Sequence, residues 1–249
     1  MIAVNERSLY LTKKSTSSNF LKEIPLFANL PDEKVRYFAD YSYLKSYTKG
    51  QYLYMEGEEA KYFYVLCSGW IKLLHLTEDG EESVIAMLTK NNITGESAVF
   101  EQGNFASTAQ IAEDAKILSI PISILKEQMS LNTQLALNML TSMIQYQRRH
   151  ELQVEQFLLY SAPQRVGCFI LGLLPVQDQK DGAKIDLPYD KTLIASTLGM
   201  KGPTFSRALN ILRDETGTRT NGSQVTVDSI QRLLKFVSSC YLPNQLRIE

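Results

Sequence analysis

The chain has 249 residues, 44% hydrophobic and 21% charged, with a formal net charge of −1. That composition describes a folded chain long enough for one large or two modest domains and excludes intrinsic disorder; no apolar run approaches the ~18 residues of a membrane span. The charge is uneven: residues 1–159 carry 15 Lys+Arg against 19 Asp+Glu (−4), and residues 160–249 carry 11 against 8 (+3). The back half is therefore the part suited to a polyanion, although a difference this small also arises by chance.

The opening stretch, MIAVNERSLYLTKKSTSSNF, lacks the charged start, apolar centre and small-residue cleavage site of a secretion signal, and residues 1–19 are left as an N-terminal arm. From Tyr47 to Pro121, glycines at Gly50, Gly57, Gly69, Gly80, Gly95 and Gly103 punctuate β-rich segments: QYLYM, KYFYVLC, WIKLLHL, SVIAML, STAQIA and AKILSIP. Short strands between turn signals such as TEDGEE predict an antiparallel sandwich or barrel. No strand–helix alternation appears there, which argues against a parallel nucleotide-binding sheet.

After Pro121 the pattern becomes helical. From Asn132 to Leu159 there is no glycine or proline, and such a helix is about 40 Å long at ~1.5 Å per residue. Leu140, Met143, Gln147, His150, Val154 and Phe157 fall at alternating spacings of three and four, the seam of a coiled coil. One apolar seam on a long helix needs a partner: a second copy of the chain is the simplest, and packing on its own β domain is the alternative. Gln147 and His150 are polar seam positions, which more often fix register than bind a ligand. SAPQR then forms a hinge, RVGCFILGLL a buried helix, VQDQKDGAK a loop and IDLP a short strand.

From Lys191 the order is helix, turn, helix. Ile194, Ala195, Leu198, Met200, Phe205 and Ala208 are apolar or small, with Gly199 in the turn. Gly202-Pro203 marks the start of the second helix rather than a break, because the first helical turn has no use for the missing proline N–H. Thr204, Arg207 and Asn210 then face solvent while Phe205 and Ala208 face the core. Arg207 suits a bidentate contact to guanine, and Lys201, Thr204 and Ser206 suit phosphate or base edges; ordinary surface chemistry is the alternative for Lys201 and Ser206. TRTNGSQVTV holds an Asn221-Gly222 turn between two β-prone arms, and DSIQRLLKFVSSC a closing helix with Asp228 as its N-cap.

A glycine-punctuated β region, a long helix and a helix-turn-helix with a wing, in that order, resemble the catabolite activator/fumarate-nitrate regulator (Crp–Fnr) superfamily. The resemblance runs from about Phe20 to Leu234 and is carried by FLKEIPLFANLPDEK, which is similar to the family's opening helix, and by GEEAKYFYVLCSGWIKL, ITGESAVFEQGNFAST and LGMKGPTFSRAL. It implies an α+β fold: an antiparallel, jelly-roll-like β-roll sensor domain over residues 20–130, a dimerisation helix over 131–160, and a C-terminal winged helix-turn-helix over 161–249. It implies a cytoplasmic, homodimeric transcription regulator, not an enzyme, controlled by an effector in the β-roll. Its partners would be double-stranded DNA with a roughly palindromic operator, a second copy of itself and RNA polymerase, with no membrane. The alternative is a ligand-binding or protein-interaction module whose helix-turn-helix has degenerated. An enzyme finds no support in nucleophile–base spacing, a P-loop or a histidine–carboxylate cluster.

The departures from the family pattern are specific. Members that bind cyclic nucleotides hold the cyclic phosphate with a Gly-Glu pair and an Arg-Ser/Thr pair about ten residues on. Gly95, Glu96 and Ser107 match, but Ala106 stands at the arginine position, and no Lys or Arg lies between Lys90 and Lys116. Without that charge-assisted bidentate partner, cyclic AMP is not the expected ligand. An iron–sulfur cluster needs four close thiolates, whereas this chain has three dispersed cysteines, Cys67, Cys168 and Cys240; these read as no disulfide framework and as a sign of a reducing compartment. Haem stays open through His75, His150 or Cys67, and no metal site is read. Before Thr204, Pro203 replaces the family's usual glutamate and Gly202 its arginine or proline, so the acidic reader of cytosine is absent.

Overall fold

The computed structural model describes residues 17–76, 82–100, 103–174, 180–187 and 190–237. The chain divides into two compact units, Met1–Tyr146 and Gln147–Glu249.

In the first unit, residues 17–22 are helical, a 3-10 turn spans Pro25–Phe27 and helix α1 spans Asp32–Asp40. The single opening helix expected from FLKEIPLFANLPDEK is thus three pieces. Pro25 and Pro31 lack the N–H that would continue the preceding turn and instead begin new ones. Six strands follow: β1 (Tyr43–Tyr47), β2 (Tyr52–Tyr54), β3 (Tyr62–Leu76), β4 (Glu82–Leu88), β5 (Ile93–Thr94) and β6 (Thr108–Pro121). They form one antiparallel sheet in the order β1-β6-β3-β4, with β2 also on β6 and β5 also on β3.

The long strands β3 and β6 alternate between two cores. Phe63, Val65, Leu118 and Ile120 pack with Leu21, Phe27, Val35, Phe38 and Leu125 on the helical side. Tyr64, Leu66, Ile111 and Ile117 pack with Tyr54, Ala98 and Phe105 inside the roll. Across Gly69 the inward set of β3 shifts from Tyr64 and Leu66 to Ile71 and Leu73, the change of phase that a bulge produces; the pairing of β3 with β6 slips on either side of Gly69. The expected strands KYFYVLC and WIKLLHL are therefore one strand, as are STAQIA and AKILSIP. Gly69 was expected to end a strand; it permits one to bend. Its φ is +87°, and a Cβ there would lie 2.3 Å from the Asp114 carbonyl oxygen. The TEDGEE turn falls mostly on residues outside those described.

Helix α2 spans Ile122–Leu131 and α3 spans Thr133–Leu159. Asn132 separates them in an extended conformation, and its Oδ1 accepts from the Leu135 N–H at 3.2 Å. At the start of α3, Leu135 and Met139 enter the helical-side core, and Asn138 Nδ2 donates to the carbonyls of Leu26 (3.0 Å) and Ala28 (2.7 Å).

The second unit holds the end of α3, then α4 (Ala162–Leu173), β7 (Ala183–Asp186), α5 (Lys191–Thr197), α6 (Gly202–Thr216), β8 (Arg219–Asn221), β9 (Gln224–Val227) and α7 (Ile230–Phe236). Gln164 Oε1 accepts from the Ser161 backbone N–H at 3.0 Å, closing the start of α4. The small sheet runs β7-β9-β8, and one core takes Val166, Ile170, Ile194, Phe205, Leu212, Val225 and Leu233.

Three expectations need correction here. Asp228 does not cap α7: it pairs with Arg219 at 2.7 Å, and the Ile230 N–H is taken by Asp181 Oδ1 at 2.8 Å from the loop before β7. The hairpin pairs Asn221 with Gln224, so its two-residue turn is Gly222-Ser223, with the positive φ of +60° on Gly222. Cys67 is a free thiol but Cys168 is disulfide-bonded, because distance along a chain says nothing about distance in the fold.

Gly69→Ala meets both the left-handed backbone and a backbone clash, for an expected loss of about 3 kcal/mol or more in unfolding free energy. Gly50→Ala, at φ +88° with open space around its Cβ position, should cost about 1 kcal/mol. Urea unfolding of the two variants beside the parent checks the difference.

Candidate functional site

The side chains singled out by the sequence come together on α6. Asp190 caps α5, its Oδ1 accepting from the Leu193 N–H at 2.9 Å. Gly199 turns the chain at φ +63°, with its N–H on Ser196 O (3.0 Å) and the Met200 N–H on Ala195 O (2.9 Å). Lys201 is the N-cap of α6 and Pro203 sits in its first turn, so Gly202-Pro203 starts the helix as expected. Phe205, Ala208, Leu212 and Thr216 are buried along one side, and Ile194, Ala195 and Leu198 meet them in the same core.

That burial leaves Lys201, Gly202, Pro203, Thr204, Ser206, Arg207 and Asn210 exposed on the opposite side. No acidic side chain stands in the first turn, and nothing lies within 4 Å of the Gly202 Cβ position. Ile211 is also exposed, at 46%; sequence reasoning missed it, although its place four residues beyond Arg207 puts it on the same face. The first turns of this surface have the chemistry of a groove reader: one planar fork donor, hydroxyls, an amide and a cation at the helix start, with the carboxylates Asp214 and Glu215 confined to the far end of the helix.

In the roll, Gly95 adopts φ +81° ahead of the 3-10 turn Glu96–Val99. Its Cβ position is 2.8 Å from the Phe105 ring, so the glycine admits that ring. Phe105 stacks on Tyr54 at 3.8 Å between centroids and 13° between planes, and Tyr64 lies 5.7 Å beyond Tyr54. The Tyr54 hydroxyl shares a short hydrogen bond with Thr94 Oγ1. Ser107 is half-buried and Ala106 is exposed. The space beside Gly95 is occupied by the chain's own rings, and sequence reasoning missed this. Its signal was QYLYM and GNFAST, two aromatics on segments that pair in the sheet.

Cys67 and His75 lie eight residues apart on the continuous strand β3, about 26 Å at ~3.3 Å per residue, so no single haem takes both. His75 Nδ1 is 2.9 Å from Glu56 Oε2. Burial pushes the Cys67 thiol up to about 11, away from the thiolate that iron requires. Among the described residues no group of three or more His, Cys, Asp or Glu is arranged to hold a metal ion, and no helix is long and apolar enough to cross a membrane.

Along α3, Leu140 (55%), Met143 (44%), Val154 (54%) and Phe157 (41%) are exposed in the single chain. Gln147 is exposed, its Nε2 donating to Glu151 Oε1 at 3.0 Å, and His150 is half-buried. Leu137, Ile144 and Leu158 are exposed as well and widen this apolar face beyond the six seam positions.

A family model for the cyclic nucleotide-binding domain matches residues 44–132, and a model for the Crp-like helix-turn-helix domain matches residues 164–236. The chain is 24% identical over 210 residues to the cyclic AMP receptor protein of Thermus thermophilus, covering 83% of this chain and 94% of that one. It is 24% identical over 191 residues to the global nitrogen regulator of Synechococcus elongatus, covering 74% of this chain and 85% of that protein. The structure of FixK2 from Bradyrhizobium japonicum shares the fold, with a TM-score of 0.67 at 24% identity over 78% of this chain and 96% of that one. The fold and the surface on α6 define a winged helix-turn-helix regulator with a cyclic-nucleotide-type β-roll. The chain belongs to the Crp–Fnr superfamily of DNA-binding transcription regulators.

Burial raises the ionisation of both stacked tyrosines, and that of Tyr64 reaches about 12 from an ordinary 10.0. The folded chain thus holds these phenols protonated where the unfolded chain releases its protons. Their contribution to stability is fully present below about pH 10 and is lost as pH rises from there toward 12. The urea midpoint should fall over that interval, and Tyr54→Phe with Tyr64→Phe should flatten the fall.

Proposed function

We propose that the chain acts as a homodimer on a roughly palindromic duplex, with α6 of each copy in the major groove. The observation that carries this reading is the division of α6: Phe205, Ala208, Leu212 and Thr216 are buried, and Lys201, Thr204, Ser206, Arg207 and Asn210 face outward. Arg207 donates two hydrogen bonds to guanine O6 and N7, and Lys201, Thr204 and Ser206 hold phosphate or base edges. Asn210 lies one helical turn further along the same face. Pro203 and Gly202 supply no acidic or cationic reader, so the half-site departs from the family's common ones and DNA shape contributes more to the choice.

The exposed face of α3 supports pairing of two copies, with Leu140, Met143 and Val154 as apolar seam positions and Gln147 and His150 fixing register. Control through the β-roll does not use a cyclic nucleotide. Ala106 offers no cation, and the Tyr54 hydroxyl is bonded to Thr94. The setting is the cytoplasm, where RNA polymerase is the further partner of a regulator of this class.

Selection of bound duplexes from a random pool, at low and moderate salt, tests the reading. The expected result is a two-fold symmetric motif with half-sites about one helical turn apart, bound with steep salt dependence from released counterions. Arg207→Ala should lower affinity for that motif about 10- to 100-fold, Pro203→Glu should shift the preferred half-site, and added cyclic AMP should leave the affinity unchanged. Absence of salt-sensitive DNA binding would favour the protein-interaction module instead.

A further inference from the structure

Three side chains meet where α3 gives way to α4. Phe157 lies in the last turn of α3, and Arg165 lies in the first turn of α4. The Arg165 guanidinium carbon sits 5.3 Å from the centroid of the Phe157 ring. Arg165 Nε is buried with no hydrogen-bond partner, so the attraction of the planar cation to the ring offsets part of its lost hydration. The ring edge faces Gly199: a Cβ built there would lie 3.0 Å from Phe157 Cε1 and 3.3 Å from Cζ. The glycine is needed for the left-handed turn and again for the seat of this ring.

Gly199 belongs to the turn between α5 and α6, and the N-cap of α6, Lys201, is two residues further on. A ring fixed against that turn restricts the direction in which α6 leaves it. By heptad spacing Phe157 completes the seam of α3, yet its ring, 41% exposed, rests one edge against the Gly199 turn of its own chain and one face against Arg165.

We propose that Phe157 is a positioning residue for the reading helix and not part of the dimer seam, which ends at Val154. Arg165 holds the ring from one side and Gly199 receives it on the other, so the last turn of α3 sets the aim of α6. The inference rests on α6 reading DNA as proposed above. A small misalignment of the reading helix costs base contacts, which need bidentate geometry, far more than phosphate contacts, which tolerate it.

The test compares Phe157→Leu, Phe157→Ala, Phe157→Tyr and Gly199→Ala with the parent in the full chain. Three quantities are measured: the dimer dissociation constant by sedimentation, affinity for the selected duplex by fluorescence anisotropy, and affinity with its salt slope for a scrambled duplex. Phe157→Leu, Phe157→Ala and Gly199→Ala are expected to lower affinity for the selected duplex about ten-fold. Dimerisation, scrambled-duplex affinity and its salt slope stay at parent values, and Phe157→Tyr restores specific binding. In a double-mutant cycle, Phe157→Ala and Gly199→Ala should be less than additive, since either change unseats the same ring. The proposal is overturned if Phe157→Ala or Phe157→Leu binds the selected duplex like the parent, or if Phe157→Leu dissociates the dimer. If Phe157→Ala does not fold, Phe157→Leu and Gly199→Ala decide. A parent protein that selects no duplex overturns the DNA reading itself, a result distinct from either.

Discussion

The burial of Phe205, Ala208, Leu212 and Thr216 against a single core is the constraint from which the functional surface follows. At 3.6 residues per turn, fixing those four side chains inward leaves no freedom over which residues face out. Lys201, Thr204, Ser206, Arg207 and Asn210 are exposed because their neighbours are not. The remainder of the second unit supports that arrangement. Gly199 makes the turn, Asp190 starts α5 and the β7-β9-β8 sheet closes the core beneath the helices. The exposed face of α6 is thus a consequence of hydrophobic packing on its reverse side.

The β-roll uses the same alternation to different effect. Strands β3 and β6 are buried on both faces, which lets one face carry the helical core and the other an interior of aromatic rings. An anionic ligand in that interior would need fixed cations or several backbone donors to replace its hydration. This interior instead presents rings, and the Tyr54 hydroxyl is bonded to Thr94. Gly95 keeps its left-handed backbone, but the space its missing Cβ leaves is taken by Phe105.

Much of this was legible from residue order alone, for reasons that can be located. The helix-turn-helix was readable because Ile194, Ala195, Leu198, Phe205 and Ala208 follow one helical period across a glycine, and period is a local property. The long helix was readable because nothing between Thr133 and Leu159 interrupts it. What failed was non-local. Gly69 has the same sequence signature as a turn glycine, and only the approach of Asp114 across the sheet makes it a bulge. Asp228 has the signature of an N-cap, but Arg219 on the neighbouring strand competes for it, and Asp181 from a distant loop takes over. The Tyr54–Phe105 stack joins residues 51 positions apart, and no local pattern announces it.

Phe157 carries the same lesson to the functional level. Its heptad position predicts a contact with another copy of the chain, because spacing reports only which face of a helix a side chain shares. Whether that face meets a second molecule or the chain's own next element depends on where the chain turns. Here it turns at Tyr160 and Ser161, close enough for Arg165 to reach back over the ring. A polar atom left unpaired beside that ring, Arg165 Nε, costs free energy in any folded protein, and its retention needs a compensating contact. The ring supplies one, and the same ring also rests against the Gly199 turn that precedes α6.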